Sequence, residues 1–129
     1  MPKKILLVDN NHEYRHVLAS LVRRVGYDVL HAGEVCDAGK RLVSDRPDLM
    51  MIGEGVEIAE LKNNQFSVRI PMVIYSAQQT SSWLDEALSK GAADILTKPI
   101  SSADVSEVLR KHLQTSQNRP RPIPSPRVA

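Results

Sequence analysis

Apolar runs and helix-period segments alternate five times along this chain. That alternation is the sequence form of a parallel β-sheet covered by helices, because a strand buried on both faces needs a near-continuous apolar run. The runs predict strands near residues 4–8, 27–31, 48–52, 70–75 and 93–96. After the first strand, Tyr14, Val17, Leu18, Leu21, Val22 and Val25 fall at helical spacing; Asn10 or Asn11 can cap this helix and Gly26 ends it. A second helix near 34–45 carries Gly39 inside it, which weakens it by about 1 kcal/mol relative to alanine. A third, near 56–64, is short. The fourth opens at Ser81 or Ser82 and presents Leu84, Ala87 and Leu88 before Gly91. The fifth opens at Ser101, has Asp104 where a capping box requires it, and aligns Val105, Val108, Leu109 and Leu113. Right-handed crossovers between parallel strands divide these helices between two faces. The expected class is α/β, a three-layer α/β/α sandwich.

The periodic pattern stops after Leu113, which places a folded domain at 1–114 and a Pro/Arg-rich tail or truncated linker at 115–129. Pro120, Pro122, Pro124 and Pro126 interleave with Arg and Ser, so the tail reads as extended or disordered. Two-residue spacing leaves no P-x-x-P pair, which disfavours docking of the SH3 type. One domain is the natural reading of 129 residues with 42% hydrophobic content.

Charge is unevenly placed. The formal net charge is +2, but Arg119, Arg121 and Arg127 are the only charged side chains after residue 114, so the domain itself is slightly acidic. Few aromatics disfavour a base-stacking nucleic-acid module, and three tail arginines release few counterions. Cys36 is alone, which fits a reducing compartment. The apolar start, Ile5 to Val8, is too short for a signal peptide or membrane span. A cytoplasmic location is expected, with no membrane contact.

Three motifs close the apolar runs: Val8-Asp9-Asn10 the first, Tyr75-Ser76-Ala77 the fourth and Leu96-Thr97-Lys98-Pro99 the fifth. Together with their spacing, they resemble the receiver domain of bacterial two-component response regulators, over roughly residues 3–114. The resemblance implies a flavodoxin-like sheet of order 2-1-3-4-5 with five helices. It also implies a pocket beyond the strand ends in which two adjacent acids and a third-strand Asp hold Mg²⁺, while a Ser/Thr and a Lys bind phosphoryl oxygens. In that family the third-strand Asp accepts a phosphoryl group from a histidine kinase. Pro47-Asp48-Leu49-Met50-Met51-Ile52 leads to that position and then supplies Gly53.

The second acid is also absent, since Asn10 follows Asp9. One carboxylate facing one ammonium is already balanced, so a direct or water-bridged Asp9–Lys98 pair is expected, with no metal and no other cofactor. Glu54 is the residue that could compensate, as a fixed mimic of the phosphorylated state; strand alternation directs it away from where Gly53 points, and the alternative is a solvated loop acid. Ser76 and Lys98-Pro99 match the family, whose corresponding peptide bond is commonly cis. The family's aromatic switch position on the fifth strand is Ile95 here.

Other constellations weigh less. His12 and His16 stand four apart on a helix without an evident third metal ligand. Cys36, near a helix start, reads as a small core residue. The loop Asp9-Asn10-Asn11-His12 lacks the composition of a flavin-phosphate loop. Trp83, beside Leu84, is either an interface anchor on the family's usual partner-binding face, formed by helix 4, strand 5 and helix 5, or a lid on the core. These residues lead to a non-enzymatic signalling domain that binds protein partners without aspartyl phosphorylation, in a two-component or phosphorelay pathway, with a homodimer as one possible assembly. Two alternatives stand beside it: a receiver still regulated at Asp9 or Glu54, and a weak binder of nucleic acid or anionic surfaces through the tail.

Overall fold

The computed structural model describes residues 3–53, 56, 61, 70–77 and 81–114, with backbone only at 81, 83, 84 and 114. Five parallel strands, β1 (Lys4–Val8), β2 (Asp28–Ala32), β3 (Leu49–Gly53), β4 (Met72–Ser76) and β5 (Asp94–Thr97), form one sheet in the order β2-β1-β3-β4-β5. Each strand starts within two residues of its predicted position. Register runs from Lys4 opposite Asp28 to Val8 opposite Ala32, and from Ile5 opposite Leu49 to Val8 opposite Ile52.

Successive side chains of β1 enter opposite core layers, as the pleat dictates. Ile5 and Leu7 pack with Leu49, Met51, Val73 and Tyr75 beneath α1 (His12–Arg24) and α4 (Ser102–Leu109). Leu6 and Val8 pack with Met50, Ile52 and Ile74 against Ala38 and Leu42 of α2 (Val35–Ser44) and Ala87 of α3 (Ser81–Ser89). All five residues of β3 and of β4 are buried, which is why both runs are unbroken in the sequence.

Local chemistry sets the helix ends. The Asn11 side chain accepts from the Tyr14 amide at 3.0 Å, satisfying a donor that the first turn leaves open. Gly26 and Gly91, which follow α1 and α3, sit at φ +103°, a conformation that costs glycine little. Ser101 and Asp104 form the expected capping box, with bonds of 3.1 and 3.0 Å, and α4 continues into a π-helical turn at Arg110–Gln114.

Two expectations change. The described residues hold four α-helices rather than five; the expected third, near 56–64, falls where only Val56 and Leu61 are described. On α1, Val17 is 57% exposed and Arg15 is buried in the stripe with Leu18, Ala19 and Val22.

Candidate functional site: the pocket beyond the strand ends

Strand order reverses between β1 and β3, and there the carboxyl ends of the strands open a crevice. Asp9 follows β1, Gly53 ends β3, Ser76 ends β4 and Lys98 follows β5. Asp9 is 3% exposed, and its amide donates to the Ala32 carbonyl at 3.1 Å, which fixes the strand end against β2. One carboxylate oxygen accepts the Asn11 amide at 2.9 Å, and the other accepts the Tyr75 hydroxyl at 2.6 Å. Bonds to an ionised acceptor are the strong ones, and the second lies in the buried interior. Burial first, then the bond to Asp9 and its charge, push the Tyr75 phenol far above its ordinary range.

Gly53 is what allows this geometry. It lies opposite Tyr75 in the β3–β4 register. A Cβ at position 53 would fall 2.7 Å from both Cγ and Oδ2 of Asp9 and 3.0 Å from Oδ1. The carboxylate therefore occupies the space that a side chain at 53 would need.

Lys98 places its ammonium 4.2 Å from the centre of the Tyr14 ring and 5.7 Å from that of Tyr75. The two phenol rings lie 5.6 Å apart, tilted by 35°. Burial raises the Tyr14 phenol; an Ile100 backbone bond opposes this, and the Asp9 charge adds to it. Asp9 thus has Tyr75 and the Asn11 amide as direct hydrogen-bond partners. Ser76 is fully buried and its carbonyl accepts the Lys98 amide at 2.9 Å. The Lys98–Pro99 peptide is cis, as the family resemblance implies.

Of the remaining candidates, Asn10 is exposed, and Ile95 is half-buried against the layer of Leu6 and Ile74. Glu54 lies outside the described residues. Trp83 and Leu84 fall in the first half of α3, with their side chains outside the description. Cys36 is exposed rather than a core residue, since α2 turns Ala38 and Leu42 inward instead. His12 and His16 do not act as a pair: His12 Nδ1 lies 2.9 Å from Arg15, and the His16 ring packs on His31 at 5.3 Å.

Arg15 was not among the sequence candidates. Nη1 donates to the Asp9 carbonyl at 2.6 Å, Nε donates to His31 Nδ1 at 3.2 Å, and Nη2 bonds His12 Nδ1. The signal was its place on α1, three and four residues before Leu18 and Ala19, on the inward stripe. Burial first, then the charges of Arg15, His16, Arg23 and Arg41, hold the His31 imidazole below its ordinary range.

As a cation site, the described part of the pocket offers one carboxylate, and both its oxygens already have protein donors. Mg²⁺ requires near-octahedral oxygen ligation, usually from one or two carboxylates, waters and substrate oxygens. Among the described residues, no group of three or more His, Cys, Asp or Glu side chains is placed to share a metal ion. The described donor set does not fit the ion.

Sheet order, cis peptide and the four strand-end positions define a receiver, and comparison with known proteins agrees. The family model for the response regulator receiver domain matches residues 5–110, and the chain belongs to that family. It is therefore a receiver domain of two-component signalling. It is 29% identical over 119 residues to the phosphate regulon transcriptional regulatory protein PhoB of Pseudomonas aeruginosa, covering 87% of this chain and 52% of the relative. It is 28% identical to the alkaline phosphatase synthesis transcriptional regulatory protein PhoP of Bacillus subtilis, covering 91% of this chain and 51% of that one. The chain thus spans about half the length of these relatives. Among solved structures, the chemotaxis protein CheY4 of Vibrio cholerae superposes with a TM-score of 0.80 at 18% identity, covering 88% of this chain and all of the other. The receiver domain of a sensor histidine kinase from Pseudomonas aeruginosa, with a magnesium ion coordinated in its cleft, superposes at 0.77 and 21% identity, covering 87% and 98%. At such identities these structures establish the shared fold.

Proposed function

We propose that this receiver acts through protein–protein contacts without aspartyl phosphorylation and without enzymatic activity of its own. The observation that carries the reading is the Asp9 carboxylate seated over Gly53 and bonded to Tyr75 at 2.6 Å. Position 53, at the end of β3, has no side chain to accept a phosphoryl group. Asp9 is a poor substitute, because it is buried and both oxygens are engaged. Asn10 contributes no second carboxylate, and Ile95 no aromatic ring to report a modified state.

Output then comes from a surface already in its binding-competent form, on the face of α3, β5 and α4 that the family commonly uses. Trp83 and Leu84 in α3 are the apolar candidates for contact, with a protein partner or a second copy of the chain. Among the described residues no helix is long and apolar enough to cross a membrane.

The test is an amide NMR titration of the chain with Mg²⁺ and beryllofluoride, which mimics a phosphoryl group on aspartate. Signals of Asp9, Gly53, Ser76, Ile95 and Lys98 are expected to stay in place. Saturable shifts at these positions, spreading to α3 and α4, would restore a phosphorylation-type switch and sink the reading.

A further inference from the structure

Arg15 is a charged side chain at 7% exposure whose acceptors are all neutral: the Asp9 carbonyl and the Nδ1 atoms of His12 and His31. No carboxylate among the described residues pairs with it. A guanidinium has five N–H donors, and three bond to acceptors among the described residues. A buried cation is costly without a counter-charge, and buried donors are rarely left unused.

The guanidinium lines a groove of about 690 Å³ that spans the outer edge of β2, between α1 on one face of the sheet and α2 on the other. Gly33 leaves this side of the guanidinium uncovered, since a Cβ there would rest on Arg15 Nη1 at 3.5 Å, an ordinary van der Waals contact. On the α2 side, Lys40 contributes an ammonium with no partner among the described residues, and Arg41 is shared with Asp45 at 3.1 Å. Glu34 and Asp37 line the same groove from the start of α2, again without partners there.

We propose that this groove binds a small organic phosphate of the ribose phosphate class. The phosphoryl group meets the unused donors of Arg15, with Lys40 and Arg41 at the rim, and the hydroxyls donate to Glu34 and Asp37. A guanidinium fork matches phosphate oxygens, and the volume lies in the range of small-ligand sites. The two carboxylates decide against a bare anion, which they repel, and in favour of a ligand with donors beside its charge. The groove meets the pocket at Gly53 through the bond from Arg15 to the Asp9 carbonyl, and the proposal requires no phosphoryl chemistry in that pocket.

The experiment titrates the ¹⁵N-labelled full chain with AMP, ribose 5-phosphate, inorganic phosphate and adenosine. Saturable shifts at the Gly33 and Asp37 amides and at Arg15 Nε are expected for AMP and ribose 5-phosphate, with Kd below about 1 mM. Inorganic phosphate is expected to bind roughly tenfold more weakly and adenosine not to bind. Gly33→Val, which closes the groove beside Nη1 without removing a charge, is expected to abolish the shifts. Lys40→Glu, on the exposed surface, is expected to weaken AMP by roughly tenfold and decides the matter if Gly33→Val does not fold. Absence of saturation by either ribose phosphate, adenosine binding as well as AMP, or shifts that folded Gly33→Val or Lys40→Glu leave unchanged would each overturn the proposal.

Discussion

Replacing Gly53 by alanine adds one methyl group, and that methyl lands 2.7 Å from Cγ and Oδ2 of Asp9. Neither side can yield easily. Gly53 is held in the β-ladder, and the carboxylate is short, buried and fixed by bonds of 2.9 and 2.6 Å. Moving Asp9 breaks the Tyr75 bond, and a buried hydrogen bond to a charged group contributes about 1.5–3 kcal/mol. Alanine also stiffens the unfolded chain relative to glycine, which offsets about 0.5–1 kcal/mol. The net expectation is a loss of about 1.5 kcal/mol, a urea midpoint lower by roughly 1 M for a domain of this size. The decisive comparison is the double variant. In a Tyr75→Phe background the bond is already gone, so Gly53→Ala is expected to cost about 1 kcal/mol less than in the wild type. A single Gly53→Ala variant within about 0.5 kcal/mol of wild type, or strictly additive effects with Tyr75→Phe, would show that Asp9 is not pinned as described.

Further tests follow from the same geometry. Because His31 has its folded pKa below its unfolded value, the unfolded state binds more protons; stability is full above about pH 6.5 and falls as pH drops through that value. Urea midpoints between about pH 5 and 8 are expected to show this slope, and His31→Gln to flatten it. Burial alone would raise the Asp94 carboxyl, but His112, the Ile95 amide and Lys111 together hold it below its ordinary range. Its contribution is present above about pH 4 and lost as pH falls through its folded value, so His112→Ala is expected to reduce the acid sensitivity of unfolding. Asn11→Ala removes the α1 cap and is expected to lower stability by about 1 kcal/mol in denaturant titration. Trp83→Ala is expected to weaken partner binding or self-association by about 2 kcal/mol with the thermal midpoint nearly unchanged; intact association with a lowered midpoint would make the indole structural.

Strands and helix ends were legible because their causes are local. An apolar run of five residues, an Asn before a helix and a Ser-x-x-Asp box each act within a few positions of themselves. Strand order came from family resemblance, since periodicity carries no information about which strands are neighbours. The pocket was legible as a set of positions, while the bonds to Asp9 came only with the structure. Tyr75 reads in the sequence as one more apolar residue of β4, and only the register that sets it opposite Gly53 brings its hydroxyl to Asp9. Arg15 reads as a polar helix residue unless its spacing to Leu18 and Ala19 is weighed above its charge. Cys36 was assigned to the core on residue type, and the face on which α2 places it decided otherwise.

The measurement that tests the central claim most directly is the intact mass of the chain after incubation with acetyl phosphate and Mg²⁺. The account predicts an unchanged mass for the wild type, and no efficient Mg²⁺-dependent labelling of Gly53→Asp either, because Asn10 still supplies no second carboxylate and the new Cβ meets the Asp9 carboxylate at 2.7 Å. A stable phosphoryl adduct on the wild-type chain, mapped to Asp9 or Glu54, would contradict it.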